Sequence, residues 1–185
     1  MINGRYSIRE FLERWVFIAD SPTGAGRGCF AAQALSAGMF LGFYAGELIN
    51  NRQARERYVR GNRTEGSDSL FEYDKEDRIF IDARVYGNHT RFVNHSCEPN
   101  CRYNKAWWPG DGVWRAGSFD EVYTRGEFRM PGLSAEYTGP NVYMIEMRTL
   151  REIKEGEELT CDYKRGQPDW IKKNCMCSKC RPLHE

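Results

Sequence analysis

Many short strand-like segments separated by turn residues limit this chain to a mainly β fold. Apolar, β-branched and aromatic residues recur over short runs that end at glycine, proline, serine or charged turns, as half-buried strands do. The predicted strands are residues 15–20, 29–35, 39–49, 69–74, 78–83, 142–150 and 159–163. The fourth and fifth of these flank the turn KED and predict a hairpin. The pattern is typical of small sheets joined by long functional connections.

Helical patterns are few. Ser7 and Glu10 form a capping box that predicts a short helix ending near Arg14. Polar residues 51–60 predict a second helix, which Gly61 ends. Residues 103–141 are rich in aromatic residues and glycine and show no regular period. That region is interpreted as added core, as a partner surface or as part of a substrate groove.

The bulk properties fit one globular domain with a small appendage. A chain of 185 residues, 41% of them hydrophobic, can bury one substantial core. The net charge of +1 gives no general attraction to nucleic acid, so we expect no direct nucleic-acid binding. The first residues carry charges throughout, and no apolar run approaches a membrane span. We therefore expect neither a signal peptide nor a membrane segment.

The seven cysteines favour metal-bound thiolates over disulfides, because their number is odd and their spacing uneven. They also favour a reducing compartment, cytosol or nucleus. Cys175, Cys177 and Cys180 form a C-x-C-x-x-C motif that can share one zinc ion, and free thiols in a frayed tail are the alternative. Structural zinc takes four tetrahedral ligands, so one ligand must come from elsewhere. We expect Cys97 or Cys101 to supply it.

A glycine-rich loop, TGAGRG, follows the first predicted strand. Gly24, Gly26 and Gly28 alternate in it and would let the backbone approach a ligand closely. The loop lacks the spacing of a dinucleotide-binding turn and the lysine of a P-loop. A ligand loop and an ordinary strand connection both remain open.

The segment RFVNHSCEPNC, residues 91–101, begins as a buried strand and then turns abruptly polar. Its Asn94, His95 and Cys97 can be metal ligands, a nucleophile with its base, or the floor of a small-molecule site. The signature of a zinc deaminase is absent. Farther along, ELTCDY ends in Tyr163, whose hydroxyl needs a partner if it is buried.

Taken in order, these segments resemble the SET-domain protein-lysine methyltransferases. The family's first motif, Gly-x-Gly followed by Tyr-x-Gly-Glu, is similar to residues 26–49. Its Asn-His-Ser-Cys-x-Pro-Asn signature is similar to residues 81–101, and its Glu-Leu-Thr-x-Asp-Tyr signature to residues 156–163. CMCSKC, at 175–180, resembles the post-SET zinc segment. The resemblance covers Trp15 to Arg181 with a break over the aromatic region.

The resemblance implies a SET-domain (β-clip) fold: small curved sheets in which the two signature segments pass through one another as a pseudoknot. The implied organisation is an N-terminal flanking helix at 1–14, a SET domain at 15–164 with an aromatic insertion at about 103–141, and a zinc-bound post-SET tail at 165–185. In that arrangement Asn94, His95 and Tyr163 meet despite their separation in sequence.

The resemblance also implies S-adenosylmethionine as cofactor and a structural zinc ion. The implied cofactor-binding residues are Gly26, Arg27, Gly28, Arg91, Asn94, His95 (largely through its backbone) and Tyr163. The implied catalytic residues are Tyr163, Tyr44 and Cys161, and the implied zinc ligands are Cys97, Cys175, Cys177 and Cys180. The reaction would be an in-line methyl transfer to a neutral lysine amine, which the site mainly aligns.

Two departures from the family pattern concern the lysine channel. Cys161 stands where the family usually carries Tyr or Phe, whose bulk limits the number of methyl groups, so the resemblance implies room for di- or trimethyllysine or a reshaped channel. Ser69 stands where a channel Tyr is common, and Tyr73 or an aromatic residue of the insertion is expected to replace it. The tail spacing is also shorter than in many members but still permits four-coordinate zinc.

The function implied is methylation of a lysine on a histone tail or another basic protein peptide, in the nucleus or else the cytoplasm. A SET-like binding module without activity is the rival from another class. A cysteine-based hydrolase built on His95 and Cys97 is the third interpretation. The sequence predicts neither the oligomeric state nor the substrate lysine.

Overall fold

A computed structural model describes residues 14–58, 70–75, 78–107 and 143–163, together with Cys175 and Cys177. Several predicted features lie outside these residues: the helix at 7–14 except Arg14, Ser69, most of the aromatic insertion, and Cys180. Within them the chain forms strands β1 Val16–Asp20, β2 Arg27–Ala31, β3 Phe40–Phe43, β4 Glu47–Asn50, β5 Leu70–Asp74, β6 Ile79–Asp82, β7 Asn94–His95, β8 Cys101–Trp107, β9 Tyr143–Thr149 and β10 Thr160–Cys161. The helices are α1, Asn51–Tyr58, and a short 3-10 helix, His89–Phe92.

The strands form three small sheets. β1 and β2 make an antiparallel pair, and β4, β6 and β5 make a three-stranded sheet in that order. The remaining five strands form a sheet in the order β3-β9-β8-β10-β7. The mainly β prediction is confirmed, as are the hairpin of β5 and β6 and the predicted helix over residues 51–58. No helix in the described part of the chain is long and apolar enough to cross a membrane.

Two strand predictions were wrong in detail. The segment 39–49 is two strands in different sheets, because the chain turns at residues 44–46. Gly42 has a φ of +132°, and Gly46 packs so tightly on Ile81 and Asp82 that a Cβ would not fit. The segment that begins at Tyr103 was expected to lack regular structure, yet residues 101–107 form β8 because they pair in continuous antiparallel register with β9.

The crossing of the two signature segments depends on β10. This strand pairs in parallel with β7 on one side, Cys161 opposite His95, and with β8 on the other side, Cys161 opposite Cys101. β7 and β8 belong to one continuous segment, so residues 160–161 lie between two strands that only residues 96–100 connect. The meeting of the two segments that the resemblance implied is therefore present.

Asn100 supplies the hydrogen bonds that hold this crossing together. Its side chain is only 2% exposed. The amide nitrogen donates to the Glu157 carboxylate (3.0 Å) and to the Glu158 carbonyl (2.8 Å). The amide oxygen accepts from the backbone N–H of Thr160 at 2.8 Å. Because buried backbone groups need partners, this one side chain satisfies polar groups that β10 leaves unpaired.

Two apolar clusters lie behind the crossing. The larger contains Val16, Cys29, Ala31, Leu35, Leu41, Val93, Cys101, Met147, Ile153, Leu159 and Cys161. The smaller contains Tyr44, Tyr73, Ala83, Ile81 and Ile145. Tyr103 packs against both clusters. The Cys101 thiol is fully buried within the larger cluster, and burial raises its pKa to about 12.

Candidate active site

The glycine-rich loop forms one wall of the candidate site. Gly24 and Gly26 have φ values of +78° and +80°, which explains glycine at both positions. The Ser21 N–H donates to the Gly26 carbonyl at 2.7 Å and closes the loop. At Gly28 a Cβ would collide with the Glu158 carboxylate, so glycine there permits close packing against the second signature segment.

Glu158 joins three segments of this wall; the sequence analysis placed it in a signature but gave it no role. One carboxylate oxygen accepts from the Asn94 amide at 2.7 Å, and the other accepts from the Ser21 hydroxyl at 2.9 Å. The same Asn94 amide nitrogen donates to the Arg27 carbonyl at 3.2 Å. These bonds are made by the amide nitrogen and fix the orientation of the Asn94 side chain. Its amide oxygen therefore has a fixed position in the candidate site. The sequence signal was its place as the Glu of the Glu-Leu-Thr-x-Asp-Tyr signature, which does not by itself reveal these bonds.

Two guanidinium groups converge on the ring of Phe92, two residues before Asn94. The Arg27 guanidinium lies 5.2 Å from the centre of the Phe92 ring, and that of Arg91 lies 5.0 Å from it. Contacts of this kind position cations over aromatic rings. The arrangement gives the loop and the 3-10 helix a locally positive surface suited to a carboxylate.

His95 and Tyr163 are in direct contact. The Tyr163 N–H donates to His95 Nδ1 at 3.1 Å, and the two ring centres are 5.4 Å apart. The Tyr163 hydroxyl donates to the Val93 carbonyl at 2.6 Å. The hydroxyl hydrogen is directed at that carbonyl, and a phenol oxygen can in addition accept from a donor such as an amine N–H. The structure thus brings together the three residues, Asn94, His95 and Tyr163, that the resemblance placed at one site.

An aromatic cluster adjoins Cys161. Tyr44, Phe71 and Tyr103 pack pairwise with ring centres 5.2 to 5.6 Å apart. Burial raises the pKa of Tyr44, so its phenol stays protonated in neutral solution. The Cys161 thiol is fully buried, and burial raises its pKa as well. Tyr44 and Cys161 therefore act as neutral groups in a dry environment.

A cluster of metal-ligand atoms lies behind His95. Cys97 Sγ is 3.8 Å from Cys175 Sγ and 3.6 Å from His95 Nε2, and the three ligand atoms lie within 4.8 Å of one another. The sulfur separation is far too long for a disulfide. It matches the edge of a tetrahedron with zinc–sulfur bonds of about 2.3 Å, an edge of about 3.8 Å. Cys177 is buried as well, and Cys180 lies outside the described residues.

The hydrogen bond at Nδ1 decides what His95 can do in this cluster. Because Nδ1 accepts from the Tyr163 N–H, the neutral ring carries its hydrogen on Nε2, which faces Cys97. A nitrogen that carries a hydrogen can neither bind a metal nor take a proton from a thiol. The geometry disfavours His95 as a zinc ligand and as the base of a cysteine hydrolase. It favours a hydrogen bond from Nε2 to the Cys97 sulfur.

Comparison with known proteins agrees with this geometry. The SET domain family model matches residues 26–164. Histone-lysine N-methyltransferase Su(var)3-9 of Drosophila melanogaster is 32% identical over 146 residues, which are 77% of this chain and 19% of that protein. Histone-lysine N-methyltransferase MEDEA of Arabidopsis thaliana is 37% identical over 147 residues, 78% of this chain and 16% of that protein.

A solved relative has the same fold. The structure of ctPRC2 in an autoinhibited conformation bound to S-adenosylmethionine superimposes with a TM-score of 0.60 and 26% identity, covering 86% of this chain and 16% of that chain. The chain spans less than a third of the length of each of these relatives. It belongs to the SET-domain family, whose curated members among these relatives are named histone-lysine methyltransferases.

Proposed function

We propose that this chain transfers methyl groups from S-adenosylmethionine to a lysine side chain of a protein. The observation that carries the proposal is the pairing of β7 with β10, which sets Tyr163 against His95, the neighbour of Asn94. One segment would bind the donor, and the other would hold the acceptor amine. Membership of the SET family and the names of the relatives support it.

The cofactor would bind between the glycine-rich loop and the 3-10 helix. When bound, S-adenosylmethionine supplies a methyl group on a positively charged sulfur. Arg27 and Arg91 would pair with its carboxylate, and Asn94, held by Glu158, would contact its amino-acid part. The backbone of Gly26, Gly28 and His95 would form the remaining contacts. The loop fits this role because its glycines leave the backbone accessible.

Tyr163, Tyr44 and Cys161 would line the lysine channel. A lysine ammonium has a pKa near 10.4 in water and must lose a proton before it attacks. Burial among neutral groups disfavours the charged form and lowers that pKa. The phenol oxygen of Tyr163 would accept a hydrogen bond from the resulting amine and align its lone pair. No ionised base is required within the channel.

A structural zinc ion held by Cys97, Cys175, Cys177 and Cys180 would fix the tail against the site. The 3.8 Å sulfur separation and the burial of Cys175 and Cys177 fit zinc. Residues 165–185 would then be a post-SET segment attached to a SET domain at 15–164. Removal of the zinc by a chelator would release the tail. Activity would then fall because the site loses its structure, since zinc takes no part in the methyl transfer.

The substrate would be a histone tail or another basic peptide, and the enzyme would act in the nucleus. The relatives' names support the histone. Incubation of the protein with isotopically labelled S-adenosylmethionine, core histones and a histone-tail peptide array should label a lysine. Tyr163→Phe should abolish most of the label, whereas Tyr86→Phe, at an exposed tyrosine, should not. Cofactor binding without transfer to any protein would contradict the proposal and indicate a binding module.

A further inference from the structure

We propose that Tyr103 sets how many methyl groups the lysine can receive, by filling the space that the small Cys161 leaves in the channel. The proposal rests on the proposed function and assigns a specificity role to a residue outside the recognised motifs. It concerns a side chain on β8, a strand that the sequence did not predict.

Strand register places Tyr103 on the same side of the sheet as Cys161. Cys161 lies opposite Cys101 in the parallel pair of β10 and β8, so their side chains share a face. Tyr103 follows two residues later on β8 and returns to that face. The Tyr103 ring is therefore the diagonal neighbour of the Cys161 thiol across the two strands.

Side-chain contacts agree with the register. The Tyr103 hydroxyl donates to the Thr90 carbonyl at 3.2 Å, and the Cys161 thiol lies near enough to the same hydroxyl to interact with it. Its ring stands edge-on to Tyr44 with centres 5.6 Å apart. Tyr103 and Tyr163 pack against the same apolar cluster. Tyr44 and Cys161 thus lie next to this ring, and Tyr163 packs on the same cluster.

Volume is what the ring contributes. A cysteine in place of an aromatic residue would leave a void, and protein interiors contain few voids larger than a water molecule. The ring of Tyr103 lies beside that position and is fixed at its far end by the Thr90 carbonyl. The aromatic side chain that limits the channel is therefore on β8, at Tyr103, and not on β10, where this chain has Cys161.

The first test is the distribution of products. Wild type and Tyr103→Val are given the best-labelled peptide, and mono-, di- and trimethyllysine are separated by mass spectrometry. Because one methyl group in an apolar pocket changes selectivity by about tenfold or more, Tyr103→Val should raise the ratio of the highest to the lowest product by about tenfold. Tyr103→Phe keeps the ring and should keep the wild-type ratio. Phe40→Val removes a ring on β3, where Phe40 packs on Phe43 and Arg148 and has no channel role, and should keep it too.

The second test needs no activity and keeps the proposal falsifiable if a variant folds poorly. Cys161→Phe adds a ring where Tyr103 already lies, so it should lower the melting temperature in wild type. In the Tyr103→Val background the new ring enters vacated space, so the same change should cost less or raise the melting temperature. Equal effects of Cys161→Phe in both backgrounds would overturn the proposal.

The outcomes separate this inference from the proposed function. Transfer with an unchanged product ratio in Tyr103→Val, or complete trimethylation by wild type, would overturn the role of Tyr103 and leave the methyltransferase intact. Absence of transfer to every protein and peptide would overturn the proposed function. The melting temperatures would then still show whether Tyr103 occupies the space beside Cys161.

Discussion

The backbone N–H of Tyr163 donates a 3.1 Å hydrogen bond to Nδ1 of His95, 68 residues away in the sequence. The opposite side of the same imidazole lies 3.6 Å from the Cys97 sulfur. One ring therefore connects the proposed catalytic tyrosine to the proposed zinc site. A shift of the tail can reach Tyr163 through it.

This relationship predicts different results for two substitutions of His95. His95→Ala removes the acceptor of the Tyr163 N–H and should lower kcat by about 100-fold, the loss expected when a reacting group is displaced by about 1 Å. His95→Asn retains an acceptor oxygen near the position of Nδ1 and should recover most of that loss. Steady-state kinetics with a methylated-peptide readout measures both.

Zinc content provides the control for that prediction. Metal analysis should find one zinc per chain in wild type and in both His95 variants, but less in Cys97→Ser. Loss of zinc from His95→Asn would show that His95 is a ligand, contrary to the tautomer that its hydrogen bond to Tyr163 requires.

Substitution of Asn100 should destabilise the whole domain. Asn100→Ala leaves the Thr160 N–H and the Glu158 carbonyl buried without this partner, at about 3 kcal/mol in total. Asn104→Ala, on β8, which begins just after Asn100, is the matched control, because that side chain makes only a 3.5 Å contact with Glu146 among its described hydrogen bonds. Urea unfolding should give a loss below about 1 kcal/mol for the control. Similar losses for both variants would refute the role given to Asn100.

Glu158 should matter for cofactor binding more than for chemistry. Glu158→Ala frees the Asn94 amide and the Ser21 hydroxyl, so S-adenosylmethionine should bind about tenfold more weakly by calorimetry, about 1.4 kcal/mol. Glu155→Ala, at an exposed glutamate of the same turn, should leave the affinity unchanged. An unaltered affinity in Glu158→Ala would mean that Asn94 is held adequately by the Arg27 carbonyl alone.

The local sequence pattern predicted where strands form but not which strands pair with each other. Alternation and turn residues were sufficient for β5, β6 and β9, because the period of a half-buried strand is visible within a few residues. The parallel placement of β10 between β7 and β8 joins residues 60 or 66 positions apart, and no local period encodes it. It was expected only through resemblance to a family, and the structure then supplied the contacts.

The residues of the candidate site could be predicted where their type is unusual for their position in the sequence. Asn94, His95 and the cysteine motif stood out because such residues rarely follow a buried strand without a role. Glu158 and Tyr103 did not, since a glutamate before a strand and a tyrosine in an aromatic segment are both ordinary. Their significance lies in what packs against them, namely Asn94 and Cys161.

Acid should destabilise the protein first through His89. Burial lowers the pKa of His89 from 6.5 to about 4, while Nε2 donates to the Leu41 carbonyl at 2.6 Å. Because the folded state binds the proton less tightly than the unfolded state, the free energy of unfolding should fall as the pH drops from about 6.5 to about 4. The total loss is about 3 kcal/mol, from a shift of about 2.5 units at 1.36 kcal/mol each.

Urea unfolding between pH 7 and pH 3 separates this loss from a second one. Hydrogen bonds from Arg151 and Asn100 lower the pKa of Glu157 to about 2, so stability that Glu157 contributes above its ordinary pKa of 4.5 is lost only below that pH. His89→Gln keeps a donor for the Leu41 carbonyl but has no proton to gain, and should flatten the profile between pH 6.5 and 4. Glu157→Gln should flatten only the lower part. A His89→Gln profile that still falls above pH 4.5 would show that another group carries the upper transition, because His89 no longer titrates in that variant.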